Sequence, residues 1–180
     1  MNWRRLVVVM MMAGVGSLPV RAGQEHGEPT NVKGTPDALT APGLRRVAPD
    51  FSLVDADGKM VRLSALRGKV VLLDFWATWC GGCKLEIPWY MEFDRKYRRD
   101  GLTVIGVSMD DEGMKVVKPF VAERHIEYPV VVGSEAMGKI FGLGLMPLTL
   151  LIDREGRIAV AHSGVVDKDN FEEHVRELLR

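Results

Sequence analysis

The stretch GKVVLLDFWATWCGGCKLEIP occupies Gly68–Pro88 and holds both cysteines of the 180-residue chain, Cys80 and Cys83. Its first part, VVLLDFW at Val70–Trp76, is a near-continuous apolar run, as in a strand buried on both faces. Beyond the thiols, Lys84 to about Arg99 reads as an amphipathic helix, with Pro88 expected to kink it because proline removes a backbone donor. The thiols therefore sit between the end of a buried strand and the start of a helix.

Three kinds of chemistry use two closely spaced cysteines. A structural zinc site needs two more ligands, and no second cysteine pair exists. The histidines, His26, His125, His162 and His174, have no recognisable ligand spacing. His162 alone keeps a copper reading open, since two thiolates and a distant imidazole can hold that ion. A structural staple fits poorly, because so short a ring removes little entropy from the unfolded chain. A redox pair fits the surroundings best. Unpaired N–H groups and the dipole at a helix start favour thiolate, the attacking species in disulfide exchange. Cys80 is then the nucleophile, and Cys83, one turn in, is expected to be more buried and to resolve the mixed disulfide.

On either side the pattern alternates. Phe51–Val54 and Lys59–Leu63 read as a hairpin around the Asp57-Gly58 turn, with Ser64 placed to cap a short helix. Downstream come a buried strand at Leu102–Met109, a helix from Glu112 to about Arg124, and a strand at Tyr128–Val132. A short helix near Glu135–Phe141, strands at Leu148–Asp153 and Arg157–Ser163, and a terminal helix from about Lys168 complete the chain. This order implies an α/β fold, a mixed sheet with helices on both faces and an added N-terminal hairpin.

The combination of APDFSL, GKVVLLDFWATWCGGCKLEIP and LMPLTLLIDREGRI resembles the TlpA/ResA-type extracytoplasmic thiol–disulfide oxidoreductases of the thioredoxin superfamily. The likeness covers nearly all of Ala48–Arg180. It implies a thioredoxin-like domain at 45–180, a protein disulfide oxidoreductase activity and no cofactor beyond a redox-active Cys80–Cys83 disulfide. It also implies cysteine-containing protein substrates and a membrane protein as electron donor. Family roles include the reduction of apocytochrome cysteines in cytochrome c biogenesis and of copper-assembly proteins.

Residue by residue, Pro147 matches the family's cis-proline beside the cysteines, with Met146 presenting the preceding backbone to substrate. Glu86 matches an acidic residue three positions after the second cysteine, where burial would raise its pKa into a proton-shuttling range. Trp79 borders the nucleophile in a docking position, and Trp76 is read as core. Two departures stand out. Gly82 replaces the usual proline before the second cysteine, loosening the turn and unsettling the redox potential. Leu148 intervenes before Thr149, where the family often has threonine directly after the proline.

Two rival readings come from other classes. The APDFSL opening also resembles the AhpC/TSA-Redoxin pattern of thiol peroxidases. Those carry threonine three residues before the reactive cysteine and proline four further back, where this chain has Ala77 and Leu73. The other rival is a Cu(I) metallochaperone using Cys80, Cys83 and His162.

Ahead of the domain, Arg4 and Arg5 precede the apolar run Leu6–Val20, and Val20 and Ala22 place small residues at a cleavage site. Residues 1–22 thus read as a signal peptide or a retained membrane anchor, and export to the periplasm or the outer face of the cytoplasmic membrane follows. Residues 23–44, rich in Gly, Pro, Thr and charge, read as a flexible linker. With 24 basic and 24 acidic residues, net charge gives no reason to expect nucleic acid as a partner.

Overall fold

The computed structural model describes residues 38–180; the expected signal or anchor and most of the expected linker lie outside them. A five-stranded mixed sheet forms the centre. Its strands, after the hairpin strands β1 (Ser52–Val54) and β2 (Met60–Arg62), are β3 (Val70–Trp76), β4 (Leu102–Ser108), β5 (Val130–Val132), β6 (Leu148–Ile152) and β7 (Ile158–Ser163). The order across the sheet is β5-β4-β3-β6-β7. β3, β4 and β5 run parallel, while β6 opposes β3 and β7 opposes β6.

The central strands carry residues buried on both sides, and each side has its own core. Val70, Leu72 and Trp76 face one way, into a cluster shared with α1 (Gly81–Tyr97), α2 (Met114–Glu123) and α4 (Lys168–Leu179). Val71, Leu73 and Phe75 face the other way, towards α3 (Glu135–Phe141) and the apolar side of the hairpin. This is the period-2 alternation of a strand, with both faces covered. The thioredoxin-like mixed sheet between helices, with its added hairpin, is therefore observed.

Both sheet edges are covered, which blunts pairing with other chains. Ala56 N–H donates to Val130 O at 2.9 Å, bringing the end of the hairpin against β5. On the other edge, Ile158 N–H donates to Arg46 O and Thr40 N–H to Ala159 O, each at 2.8 Å. The last residues of the stretch read as linker are thus held against β7.

Two local expectations change. Ser64 does not cap a helix. It lies inside the short 3-10 turn Leu63–Leu66, and its N–H donates to Asp50 Oδ1 at 2.8 Å, so an upstream carboxylate holds that turn. α1 begins three residues before Lys84 and runs unbroken through Pro88. Gly81 and Gly82 are weak helix formers that hide the start in sequence; the Cys80 sulfur caps it instead, accepting from Cys83 N–H at 3.2 Å.

Candidate active site

The fold delivers the thiols where β3 ends and α1 starts. Cys80 is the N-cap of the helix and Cys83 lies in its first turn; they form a disulfide with Cα atoms 5.4 Å apart. Cys80 retains 7% exposure, whereas Cys83 is fully buried. The outer sulfur is thus the one an incoming partner can reach. The preceding loop is fastened by Asp110, which follows β4. Its carboxylate accepts from Thr78 N–H at 2.9 Å, Thr78 Oγ1–H at 2.6 Å and Ser108 Oγ–H at 2.8 Å. Trp79 projects from this fixed loop with two-thirds of its surface exposed, while Trp76 is buried against Phe120.

Met146-Pro147 is a cis peptide, the one cis bond among the described residues. Pro147 O accepts from Gly164 N–H at 2.8 Å, tying the segment before β6 to the turn after β7. A Cβ built on Gly82 would lie 3.4 Å from Pro147 Cδ, so the proline ring stands directly beside the CxxC turn. Cys80, Cys83, Trp79 and Pro147 are therefore brought to one end of the sheet. Met146 is half-buried and lines a groove there with Met109, Asp111, Glu135 and Leu143.

Behind the disulfide lies a buried polar group that only partly follows from sequence. Glu86 is fully buried, one turn beyond Cys83, and its Oε1 accepts from Val166 N–H at 2.7 Å. Burial pushes its pKa up to about 7, moderated by the Val166 N–H, the Tyr90 hydroxyl and His162. Asp74, in the middle of β3, is also fully buried; neither carboxyl oxygen makes a full hydrogen bond, and the neighbouring Thr149 hydroxyl only partly offsets the burial. Burial holds its pKa well above the usual carboxylate range, and the negative charge of Glu86 acts in the same direction. Such surroundings favour the protonated form of a carboxyl group and suit it to exchange a proton with a neighbour.

Register explains why these groups meet. Asp74 pairs with Thr149 on β6, and Thr149 pairs with His162 on β7, so the three side chains form a row across one face of the sheet. Tyr90 from α1 closes over the row, its hydroxyl 2.9 Å from Thr149 Oγ1. Asp74 was missed in the sequence because it stands within an apolar run. The signal was there: a lone carboxylate in a strand otherwise buried on both faces has no solvent to turn to.

The residues invoked by the rival readings are placed differently. Leu73 and Ala77, where peroxidases carry proline and threonine, are buried apolar side chains with no hydroxyl to offer a peroxide. His162 belongs to the polar row, and its Nε2 donates to Val165 O at 3.2 Å. Among the described residues, no group of three or more His, Cys, Asp or Glu side chains is arranged to hold a metal ion.

Comparison with known proteins agrees with this geometry. The Redoxin family profile matches residues 45–178. The thiol-disulfide oxidoreductase ResA of Bacillus anthracis is 33% identical over 137 residues, covering 75% of this chain and 78% of that protein. The ResA of Geobacillus thermodenitrificans is 31% identical, over 77% of this chain and 80% of its own. Among solved structures, a thiol:disulfide interchange protein of the thioredoxin family from Chlorobium tepidum superposes with a TM-score of 0.70 at 29% identity, covering 78% of this chain and all of that one. A disulfide-linked CxxC at the helix start, beside a cis-proline, on a sheet shared with such relatives, leads to one assignment: the chain belongs to the Redoxin family and, within it, to the ResA-type thioredoxin-like thiol–disulfide oxidoreductases.

Proposed function

We propose that this oxidoreductase works as a reductant of protein disulfides outside the cytoplasm, with Cys80 as nucleophile, Cys83 as resolving thiol and Glu86 as proton acceptor for Cys83. The observation that carries this reading is the asymmetry of the pair: an outer sulfur at a helix N-terminus and a fully buried inner one, with the buried Glu86 one turn further along the helix. In the reduced enzyme the Cys80 thiolate attacks one sulfur of a substrate disulfide. The substrate S–S bond breaks, one substrate sulfur leaves as thiolate, and Cys80 is left in a mixed disulfide. Cys83 then gives its proton to the Glu86 carboxylate and attacks Cys80 Sγ. The second substrate sulfur departs as thiolate, free to take up the proton held by Glu86 or one from water, and the two electrons of the dithiol now reside on the substrate.

Trp79, next to the outer cysteine in the chain, and Met146 and Pro147, beside the CxxC turn, serve as the docking surface for the substrate strand. The Cys80–Cys83 pair carries the electrons without a further cofactor, and a membrane protein resupplies them. Export rests on the Arg4–Ala22 pattern, and apocytochromes or copper-assembly proteins are the substrate classes that the family likeness favours. No helix among the described residues is long and apolar enough to cross a membrane.

The test is disulfide reduction by the reduced enzyme, with substrate adducts followed by mass spectrometry. Cys80→Ser should abolish turnover, and Cys83→Ser should accumulate a covalent adduct on Cys80. Undiminished turnover in either variant would remove the assignment of roles.

A further inference from the structure

The turn after β7 touches every part of the site. Gly164 N–H holds Pro147 O at 2.8 Å, Val165 O accepts from His162, and Val166 N–H holds Glu86 Oε1 at 2.7 Å. Between these bonds the Val165 side chain reaches over the CxxC turn: a Cβ on Gly82 would lie only 2.9 Å from Val165 Cγ2. Real side chains do not approach so closely. A side chain at position 82 would therefore have to displace the methyl group of Val165, a residue that is 41% exposed.

We propose that Val165 is a positioning residue, matched to Gly82, that couples the conformation of the CxxC turn to the Glu86 carboxylate through the adjoining Val166 N–H. Valine suits this role because its branched Cβ leaves it few rotamers, so a push on the methyl group is passed to its backbone. The displaced backbone is the one whose next amide donates to Glu86. A change of shape at residues 80–83 would thus alter the hydrogen bonding of the buried acid without any direct contact between Gly82 and Glu86. The other ionisable groups acting on Glu86 are Asp74 from β3, His162 from β7, Tyr90 from its own helix and Tyr128 from the segment before β5, with Cys83 one turn before it on the helix. Of these, His162 also bonds the turn through Val165 O, and Cys83 directly follows Gly82 in the chain. The function assigned to Glu86 rests on the thiol chemistry proposed above; the mechanical link does not.

The experiment follows the Glu86 titration in the oxidised full chain by carboxyl carbon resonances and the Val166 amide proton, so that no thiol ionises. In the unaltered protein both signals should share one midpoint. Gly82→Ala should raise the midpoint by about one pH unit, the effect of losing one hydrogen bond to a charged group, and weaken the response of the Val166 amide. Val165→Ala should leave the midpoint in place, and Gly82→Ala/Val165→Ala should return it to that of the unaltered protein. A folded Gly82→Ala with an unmoved midpoint, or a double variant that keeps the displacement, would overturn the inference. Should Gly82→Ala not fold, Val165→Ile crowds the same contact from the opposite side and should move the midpoint in the same direction; no movement would overturn the inference equally. Coupling in a protein without reductase activity would sink the reading of Glu86 as proton acceptor and leave this inference standing, and the converse result would do the reverse.

Discussion

Replacing Glu86 by glutamine keeps the shape of the side chain and its acceptor for the Val166 N–H, and removes only the charge. Its folded pKa of about 7 stands above the ordinary value of 4.5 because burial penalises the ionised form. Between those two values the folded protein holds a proton that the unfolded chain has released, so folding stability falls as pH rises through this window. The displacement corresponds to about 3 kcal/mol, lost between about pH 4.5 and pH 7. Glu86→Gln carries no such loss. Urea denaturation of the oxidised proteins at pH 4 to 8 should show the two curves close together at the acid end. The variant should be more stable by a margin growing to about 3 kcal/mol at pH 8, while its reductase turnover falls. That is a destabilising group kept for its chemistry. A stability difference that stays flat with pH would show that Glu86 does not carry the shifted proton.

Three further changes probe the surroundings. Gly106→Ala would place a Cβ 2.8 Å from Trp76 Nε1 and 3.2 Å from Tyr128 Cε2. Overpacking there should cost about 1–3 kcal/mol in denaturant titrations and blue- or red-shift the Trp76 emission. Asp110→Ala strands Thr78 N–H and two hydroxyls, and should cost about 2 kcal/mol; it should also loosen the Trp79 loop, measurable as faster hydrogen exchange at Thr78 with a slower attack by Cys80. Tyr90→Phe removes the buried bond to Thr149 and should cost about 1 kcal/mol, read from urea midpoints.

The sheet was legible because its strands are buried on both faces and so appear as apolar runs. Val70–Trp76, Leu102–Ser108 and Leu148–Ile152 each stood out in this way, and the register then carried the site with it. The position of the thiols and of Pro147 followed from strand ends and from family likeness. What escaped depended on contacts across strands. Asp74, Thr149 and His162 are 75 and 13 residues apart in sequence, and only the pairing of β3 with β6 and β6 with β7 sets them in a row. Gly82 read as a loosened turn, and its close approach to Val165, far along the chain, is visible only in the fold. The start of α1 was hidden because its cap is a cysteine sulfur and its first residues are glycines.

The direction of electron flow turns on the reduction potential of the Cys80/Cys83 pair, measured through tryptophan fluorescence in defined thiol buffers. Strong dithiol oxidants owe their potential to a reduced state stabilised as thiolate. Here the inner sulfur is fully buried, which disfavours negative charge on it, and the buried Glu86 carboxyl follows one turn further along the same helix. The account predicts a value near or below about −270 mV, that of thioredoxin. A value near about −120 mV would contradict it and make the protein an oxidant.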